Sequence, residues 1–374
     1  MRIIADRHIP DAAIAFSDFG DVLLVDGRNL TRRQIGDAEV LLVRSVTQVD
    51  SSLLDGSEVG FVGTATSGTD HLDKAYLDER GIRYFDAAGC NARAVAEYVV
   101  ACGFLCGKLA TNHPGSLQAG IVGFGHVGKI VASLFDALGV RCVVNDPLLA
   151  LHNTDDHFVS LDEVLASDIV TFHVPLTDAD EFPTRGLIGR RQLDQLTPHA
   201  LLINAARGGV IDEEALVDWC RTRVDGALAI DCWESEPKVN LQLLRNAQLA
   251  TPHIAGHTIE ARLRATTMLV SHLESIFDTA SRWRAAAVEI RALTLPPDAT
   301  MMKAIGDIVL SCCDPRELTT RMRETTELPG SQRAVEFDCF RRQAAVRREF
   351  SSFRVACDSA QPDTVACLGA LGFE

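Results

Sequence analysis

The sequence predicts an α/β protein: two doubly wound parallel-sheet units followed by a small α+β segment. Three observations predict it. Short apolar runs alternate with polar, helix-like stretches through the first ninety residues, and again from Ala119 to beyond Thr251. Brief Val/Ile/Leu-rich runs are the mark of strands buried on both faces, as parallel strands are. The run Ile121-Val122 leads into Gly123-Phe124-Gly125-His126-Val127-Gly128, a glycine-rich turn that opens a helical pattern. Arg207, Glu236 and His253 each follow directly on an apolar run. In an open parallel sheet the carboxyl ends of the strands line the ligand crevice.

The elements follow in order. Ile3-Ile4-Ala5, Val22 to Val25, Val40 to Val43 and Phe61-Val62-Gly63 read as buried strands. Asn91 can cap a long helix reaching about Leu109, with Ala94, Val95, Tyr98, Val99, Cys102 and Leu105 at helical spacing. The stretch Thr111-Asn112-His113-Pro114-Gly115-Ser116 breaks that pattern and marks a boundary. After the glycine turn, Val127, Ile130, Val131, Leu134, Phe135 and Leu138 keep helical spacing, and Gly139 offers a left-handed cap. Leu201 to Ile203, Ala227 to Ile230 and Gln248 to Ala250 are further strands. A helical stretch runs from Thr258 to about Trp283, and Pro296-Pro297 lies near the start of a third segment. That segment carries one clear strand, Phe353 to Cys357, and a last helix around Val365 to Leu371.

Composition narrows the function. The 374 residues suffice for two or three domains with cores, and 47% are hydrophobic. Mean hydropathy is near zero at +0.09, which fits a soluble globular protein, and no long apolar run reads as a membrane span. Met1-Arg2-Ile3-Ile4-Ala5-Asp6 starts directly as a strand and lacks the pattern of a signal peptide. A net charge of −15 argues against nucleic-acid or anionic-membrane partners, though not against an anionic substrate held by local arginines. Eleven cysteines at irregular spacing, without a CxxC, form neither a disulfide framework nor a metal motif, so no metal is expected. Cys102, Cys142, Cys232 and Cys367 sit in apolar stretches and read as small buried hydrophobes, in keeping with a reducing, cytoplasmic setting.

In the glycine turn, Gly123 permits the tight bend, Gly125 lets backbone approach a pyrophosphate, and Gly128 lets helix pack on strand. The helix N-terminus supplies free N–H groups for the phosphates. A second strand, Cys142-Val143-Val144, ends at Asp146, placed to accept from the adenosine ribose hydroxyls. No Lys or Arg follows within Pro147 to Ala150, so NAD rather than NADP is the expected cofactor.

Oxidising an alcohol beside a carboxylate needs a grip on the carboxylate and an acceptor for the hydroxyl proton. Arg207 suits the first task through its planar fork. His253 suits the second because its unperturbed pKa lies near working pH. Glu236 would fix the imidazole tautomer and stabilise the imidazolium.

These motifs resemble the D-isomer-specific 2-hydroxyacid dehydrogenase family. Asn204 to Asp212 is similar to its arginine signature, Asp231 to Pro237 to its glutamate signature, and Thr251 to Gly256 to its histidine signature. The resemblance implies a Rossmann NAD-binding domain over residues 94–257, inserted in a flavodoxin-like substrate domain of residues 1–93 and 258–285, with a C-terminal dimerisation domain over 286–374. Further stretches resemble one branch of the family: Val43 to Thr47, Phe61 to His71, Gly89-Cys90-Asn91, Leu328-Pro329-Gly330, Arg347 to Glu349 and Val355 to Asp358. That branch implies oxidation of 4-phospho-D-erythronate in pyridoxal phosphate synthesis, by a cytoplasmic homodimer.

Position by position, the resemblance implies that Arg207 and Glu236 form the active-site pair and His253 transfers the proton. Ser45 and Thr66 would contact substrate. Asp146, Val174, Ala205, Ala206, Arg207, Asp231 and Gly256 would contact NAD, with His126 and Val127 at the glycine turn. His257 stands where a tyrosine is expected; an imidazole still donates to phosphate but is shorter and can carry charge. Arg44, at a strand end, is a candidate for the substrate phosphate, and Arg347, of a basic cluster with Arg341, Arg342 and Arg348, is a second candidate. The plainer reading of that cluster is a solvated helix face. Rival functions are another member of the family, such as a 3-phosphoglycerate dehydrogenase, and a non-catalytic NAD(H)-sensing binding protein.

Overall fold

Apolar runs too short to be core helices form two parallel sheets in the computed structural model, which describes residues 1–110, 114–152, 157–178, 181–222, 226–296, 299–356 and 361–374. Thr111, Asn112 and His113 of the expected boundary, Pro297, and Cys357 and Asp358 of the expected last strand lie outside the described residues. The chain divides into two compact units. One holds Met1–Asn91 and Ile259–Val288, the other Ala92–Thr258 and Glu289–Glu374.

The first unit is a five-stranded sheet of β1 (Arg2–Asp6), β2 (Asp21–Val25), β3 (Val40–Val43), β4 (Phe61–Thr64) and β5 (Arg83–Asp86). Its order is β2-β1-β3-β4-β5, every pair parallel, which is the flavodoxin-like order. Alternation assigns the faces. Ile3, Ala5, Val40 and Leu42 join one hydrophobic cluster, while Ile4, Leu41 and Val43 join the opposite one. Leu269, Val270 and Leu273 of the Ile259–Phe277 helix cover the first of these faces. The approach is close at Gly63, where a Cβ would lie 2.8 Å from Leu269 Cδ2. The strand β5 was not foreseen, because its Arg-Tyr-Phe-Asp sequence is an edge strand without an apolar run.

The second unit carries β6 (Gln118–Val122), β7 (Arg141–Asn145), β8 (Ile169–Phe172), β9 (Leu201–Asn204), β10 (Ala227–Ile230) and β11 (Leu249–Ala250). These strands are ordered β11-β10-β9-β8-β6-β7, all parallel. The order reverses between β6 and β8, the switch point where open α/β sheets bind ligands. Leu201 and Ile203 face one cluster and Leu202 the other. The Ala92–Leu105 and His126–Ala137 helices lie on the first face, through Tyr98, Val99, Leu134 and Phe135.

The C-terminal segment shares that same core. Met302, Ile305 and Ile308 of the Met301–Cys312 helix, together with Phe350, Leu368 and Phe373, belong to the cluster that contains Val99 and Phe135. Phe350 stacks on Phe373 with ring centroids 4.5 Å apart. The expected strand is present as β13 (Phe353–Ala356), paired in parallel with an unforeseen β12 (Arg291–Thr294) whose residues are mostly exposed. Arg347 and Arg348 correct the expectation of a solvated helix face. Arg348 is 5% exposed and donates to the Glu289 carbonyl. Arg347 donates to the carbonyls of Ala94 (3.0 Å) and Ala255 and reaches the Cys313 sulfur at 3.0 Å.

Glu97 joins the Ala92–Leu105 helix to this segment. It is 0% exposed, and its Oε1 accepts from Arg93 Nε (2.7 Å) and from the Phe350 N–H (2.9 Å). Burial pushes its carboxyl up to about 7, against the pull of Arg93. The folded state therefore holds a proton that the unfolded chain releases near pH 4.5. This contribution is fully present below that value and is lost as pH rises to about 7. Glu97→Gln should flatten the decline in unfolding free energy across this window, as read by urea unfolding at several pH values. An unchanged slope would contradict the assignment.

Candidate active site

Three loops at the carboxyl ends of adjacent strands build the site. After β9, Asn204 shapes the first: its Oδ1 accepts from the Ala206 N–H (3.2 Å) and its Nδ2 donates to the Arg207 carbonyl (3.1 Å). Gly208 presses against the next loop so closely that a Cβ would fall 1.9 Å from the Trp233 carbonyl oxygen. No side chain fits there. Arg207 is half-buried, with Nη1 2.7 Å from the Ala206 carbonyl.

Asp231, at the end of β10, organises the other two loops. It is 1% exposed. Its Oδ1 accepts from the Thr251 hydroxyl (2.6 Å) and the Ile254 N–H (2.7 Å), and its Oδ2 from the Ala255 N–H (2.9 Å). The His253 N–H donates to its backbone carbonyl at 2.8 Å. Thr251 is clasped further by Tyr98, whose hydroxyl lies 2.7 Å away, and by the Trp233 indole N–H on its carbonyl at 2.9 Å. These bonds hold His253 at φ 56, a left-handed conformation uncommon outside glycine. Gly256 and His257 complete the loop, both half-buried.

That backbone brings His253 onto Glu236. Nδ1 lies 2.9 Å from each carboxylate oxygen, and Glu236 Oε1 also accepts from the Trp233 N–H at 3.0 Å. Burial opposes a charge on the ring. The Cys232 sulfur and the Glu236 carboxylate outweigh it, so His253 is held well above its ordinary value. Burial also keeps the Cys232 thiol protonated, leaving Glu236 as the standing negative charge. Glu236 in turn is resisted by burial but drawn below the usual carboxylate range by His253 and by Arg341. With Nδ1 engaged, Nε2 is the ring nitrogen left to exchange a proton. The sequence pattern marks Cys232 only as a small buried hydrophobe. It is 1% exposed, yet its sulfur borders this pair.

The glycine turn fits a dinucleotide. A Cβ on Gly123 (φ 91) would lie 2.8 Å from the His173 carbonyl oxygen and 2.8 Å from Val174 Cγ1; on Gly128 it would lie 2.1 Å from the Gly123 carbonyl oxygen. At Gly125 nothing lies within 4 Å, so the backbone there is open to a ligand. His126 and Val127 begin the following helix, and no side chain caps it. Their N–H groups are therefore available to phosphate. Asp146 accepts from the Phe124 N–H at 2.9 Å and the Leu149 N–H at 3.1 Å, which ties it to the turn. It borders a cavity of about 510 Å³ lined by Asn145, Pro147, Phe158, Ser160 and Glu163 among others, with no cation among the described lining residues. A 2′-phosphate would meet the Glu163 carboxylate there and no cation among the described residues. Ala205 and Ala206 are buried, and Val174 is half-buried.

In the first unit, Arg44 follows β3 and its Nε lies 3.1 Å from Asp6, which is buried. Ser45 is exposed. Thr66 is half-buried, bonded to the Thr64 hydroxyl (2.8 Å) and the Gly68 carbonyl (3.1 Å). His71 Nε2 meets the Thr64 hydroxyl at 2.9 Å, a local role.

Comparison with known proteins places the chain in a family. Residues 107–255 match the model described as D-isomer specific 2-hydroxyacid dehydrogenase, NAD binding domain. The chain is 38% identical over 388 residues to the erythronate-4-phosphate dehydrogenase of Marinobacter nauticus, covering 100% of this chain and 99% of the relative. To that of Escherichia coli it is 37% identical over 384 residues, covering 100% and 98%. The NAD+-bound 3-phosphoglycerate dehydrogenase of Entamoeba histolytica shares the fold, with a TM-score of 0.64 and 22% identity over 77% of this chain and 99% of that one.

A histidine that accepts an alcohol proton must begin neutral. With His253 held above 6.5, kcat/KM for alcohol oxidation should rise with pH along a limb lying above that value. Glu236→Gln should move the limb to lower pH and reduce the plateau, and His253→Ala should cost about 10²–10⁴-fold. A limb that Glu236→Gln leaves in place would contradict the pairing.

Proposed function

Because the chain belongs to the erythronate-4-phosphate dehydrogenases of the D-isomer-specific 2-hydroxyacid dehydrogenase family, we propose that it oxidises 4-phospho-D-erythronate to 3-hydroxy-2-oxo-4-phosphooxybutanoate. It is an NAD-dependent dehydrogenase, and this step serves pyridoxal 5′-phosphate biosynthesis. The observation that carries the catalytic reading is the contact of His253 Nδ1 with both oxygens of Glu236. Neither a 3-phosphoglycerate dehydrogenase nor an NAD(H)-sensing binding protein is favoured by relatives that match from end to end.

NAD, when bound, supplies the hydride acceptor. Gly123, Gly125, His126, Val127 and Gly128 would hold its pyrophosphate and Asp146 its adenosine ribose, while Val174, Ala205, Ala206, Asp231 and Gly256 would shape the nicotinamide side. Asp231 would act there by holding the Ile254 and Ala255 backbone, since hydrogen bonds occupy both its oxygens. Arg207 would grip the substrate carboxylate in a forked pair. His253 would take the 2-hydroxyl proton at Nε2, with Glu236 stabilising the imidazolium that results. Arg44, Ser45, Thr66 and His257 would contact the rest of the substrate, Arg44 at its phosphate.

The remaining assignments concern setting. The eleven irregularly spaced cysteines, a poor disulfide framework, support a reducing, cytoplasmic setting; among the described residues no helix is long and apolar enough to cross a membrane. A homodimer built through the C-terminal segment belongs to the same proposal, on the resemblance of Leu328-Pro329-Gly330 and Arg347 to Glu349 to that branch of the family.

NADH formation with a panel of 2-hydroxy acids, with and without a terminal phosphate, tests the proposal. Turnover should be highest with 4-phospho-D-erythronate. Arg44→Met should raise KM for the phosphorylated acid at least about tenfold more than for its unphosphorylated counterpart, a loss in the range of a charge-assisted hydrogen bond. Equal effects on the two acids would remove Arg44 from the phosphate.

A further inference from the structure

Cys232 borders the proton-transfer pair, yet alcohol oxidation has no use for a thiol. One ligand atom each from Cys232, Glu236 and His253 lies within 4.8 Å of the others. The Cys232 sulfur sits 3.4 Å from the Ala206 carbonyl, and the residue is 1% exposed. His253 Nδ1 and the Glu236 oxygens are 2.9 Å apart. Asp231 fixes the loop on which His253 is carried. The three donors thus come from a braced scaffold rather than from mobile surface chains.

A tetrahedral zinc ion binds sulfur, nitrogen and oxygen at about 2.0–2.3 Å, which sets its ligands roughly 3–4 Å from one another. The trio needs only small side-chain shifts to reach that spacing, and solvent can supply the fourth ligand. The donor set is one soft sulfur, one imidazole and one carboxylate. It suits zinc or cadmium and not magnesium or calcium, which take oxygen ligands.

We propose that Cys232, Glu236 and His253 form an inhibitory site for a thiophilic divalent cation, and that occupancy stops turnover by withdrawing Glu236 and His253 from proton transfer. The inhibitory part rests on the function proposed above; the binding part does not. Charge balances on entry. The thiol and the imidazolium each release a proton as the dication binds, so the buried site keeps its net charge. Without that exchange, two positive charges would enter a poorly solvated space.

The test uses metal-free, full-length protein. Cadmium titration of the wild type should give a thiolate-to-cadmium charge-transfer band, and the bands of Cys232→Ser and Cys232→Val should be smaller by one thiolate. Zinc should inhibit the wild type, and the half-inhibitory concentration, read against each protein's own zinc-free rate, should rise at least about tenfold in both variants. Magnesium should not inhibit. Cadmium-113 NMR of the wild type needs no variant and should report one sulfur among nitrogen and oxygen ligands. Equal zinc sensitivity in the wild type and both variants, an unchanged band, or an all-oxygen cadmium shift would each overturn the site. The spectra need no turnover. A protein that binds cadmium in this way but does not oxidise the phosphorylated acid would refute the proposed function and leave the site standing.

Discussion

The second unit turns on a single buried carboxylate. Asp231 accepts from the Thr251 hydroxyl and from the backbone of Ile254 and Ala255, while its own carbonyl takes the His253 N–H. A buried charge without such partners would cost several kcal/mol. Three bonds from one loop satisfy it, and with the fourth, at the backbone carbonyl, they give that loop one conformation. The imidazole of His253 therefore arrives at Glu236 already oriented, with Nδ1 committed and Nε2 left over. Orientation set before substrate arrives is what allows a general base to act without reorganisation.

The C-terminal segment reinforces the same loop. Arg347 joins the Ala255 carbonyl to that of Ala94, linking the histidine loop to the helix below it. Glu97, three residues after Ala94, takes the Phe350 N–H from the same segment. Apolar packing of Phe350, Leu368 and Phe373 against Val99 and Phe135 supplies the surrounding core. The last quarter of the chain thus stabilises the geometry of the site as well as extending the unit, and Arg347 and Arg348 are structural where a basic surface cluster is the plainer expectation.

How much of this was legible depended on local pattern. Strands such as Leu201–Asn204 and Ala227–Ile230 announce themselves because burial on both faces demands unbroken apolar runs. The edge strand Arg83–Asp86 and the exposed Arg291–Thr294 carry no such demand and were invisible. Among site residues, Arg207, Glu236 and His253 were readable because each follows a strand, and Gly123 and Gly128 because close backbone contacts exclude any side chain there. The parts that stayed hidden depend on distant partners. Nothing near Arg347 indicates that it will reach Ala255, and nothing near Cys232 indicates that it will border His253.

The contact between His253 and Glu236 is the claim on which the catalytic account rests, and nitrogen-15 NMR of the His253 ring tests it most directly. Across a pH titration of the ligand-free protein, Nδ1 should stay protonated throughout, with only Nε2 losing its proton, at a pH above the ordinary histidine value. A ring that titrates at or below that value, or whose neutral form carries its proton on Nε2, would contradict the account.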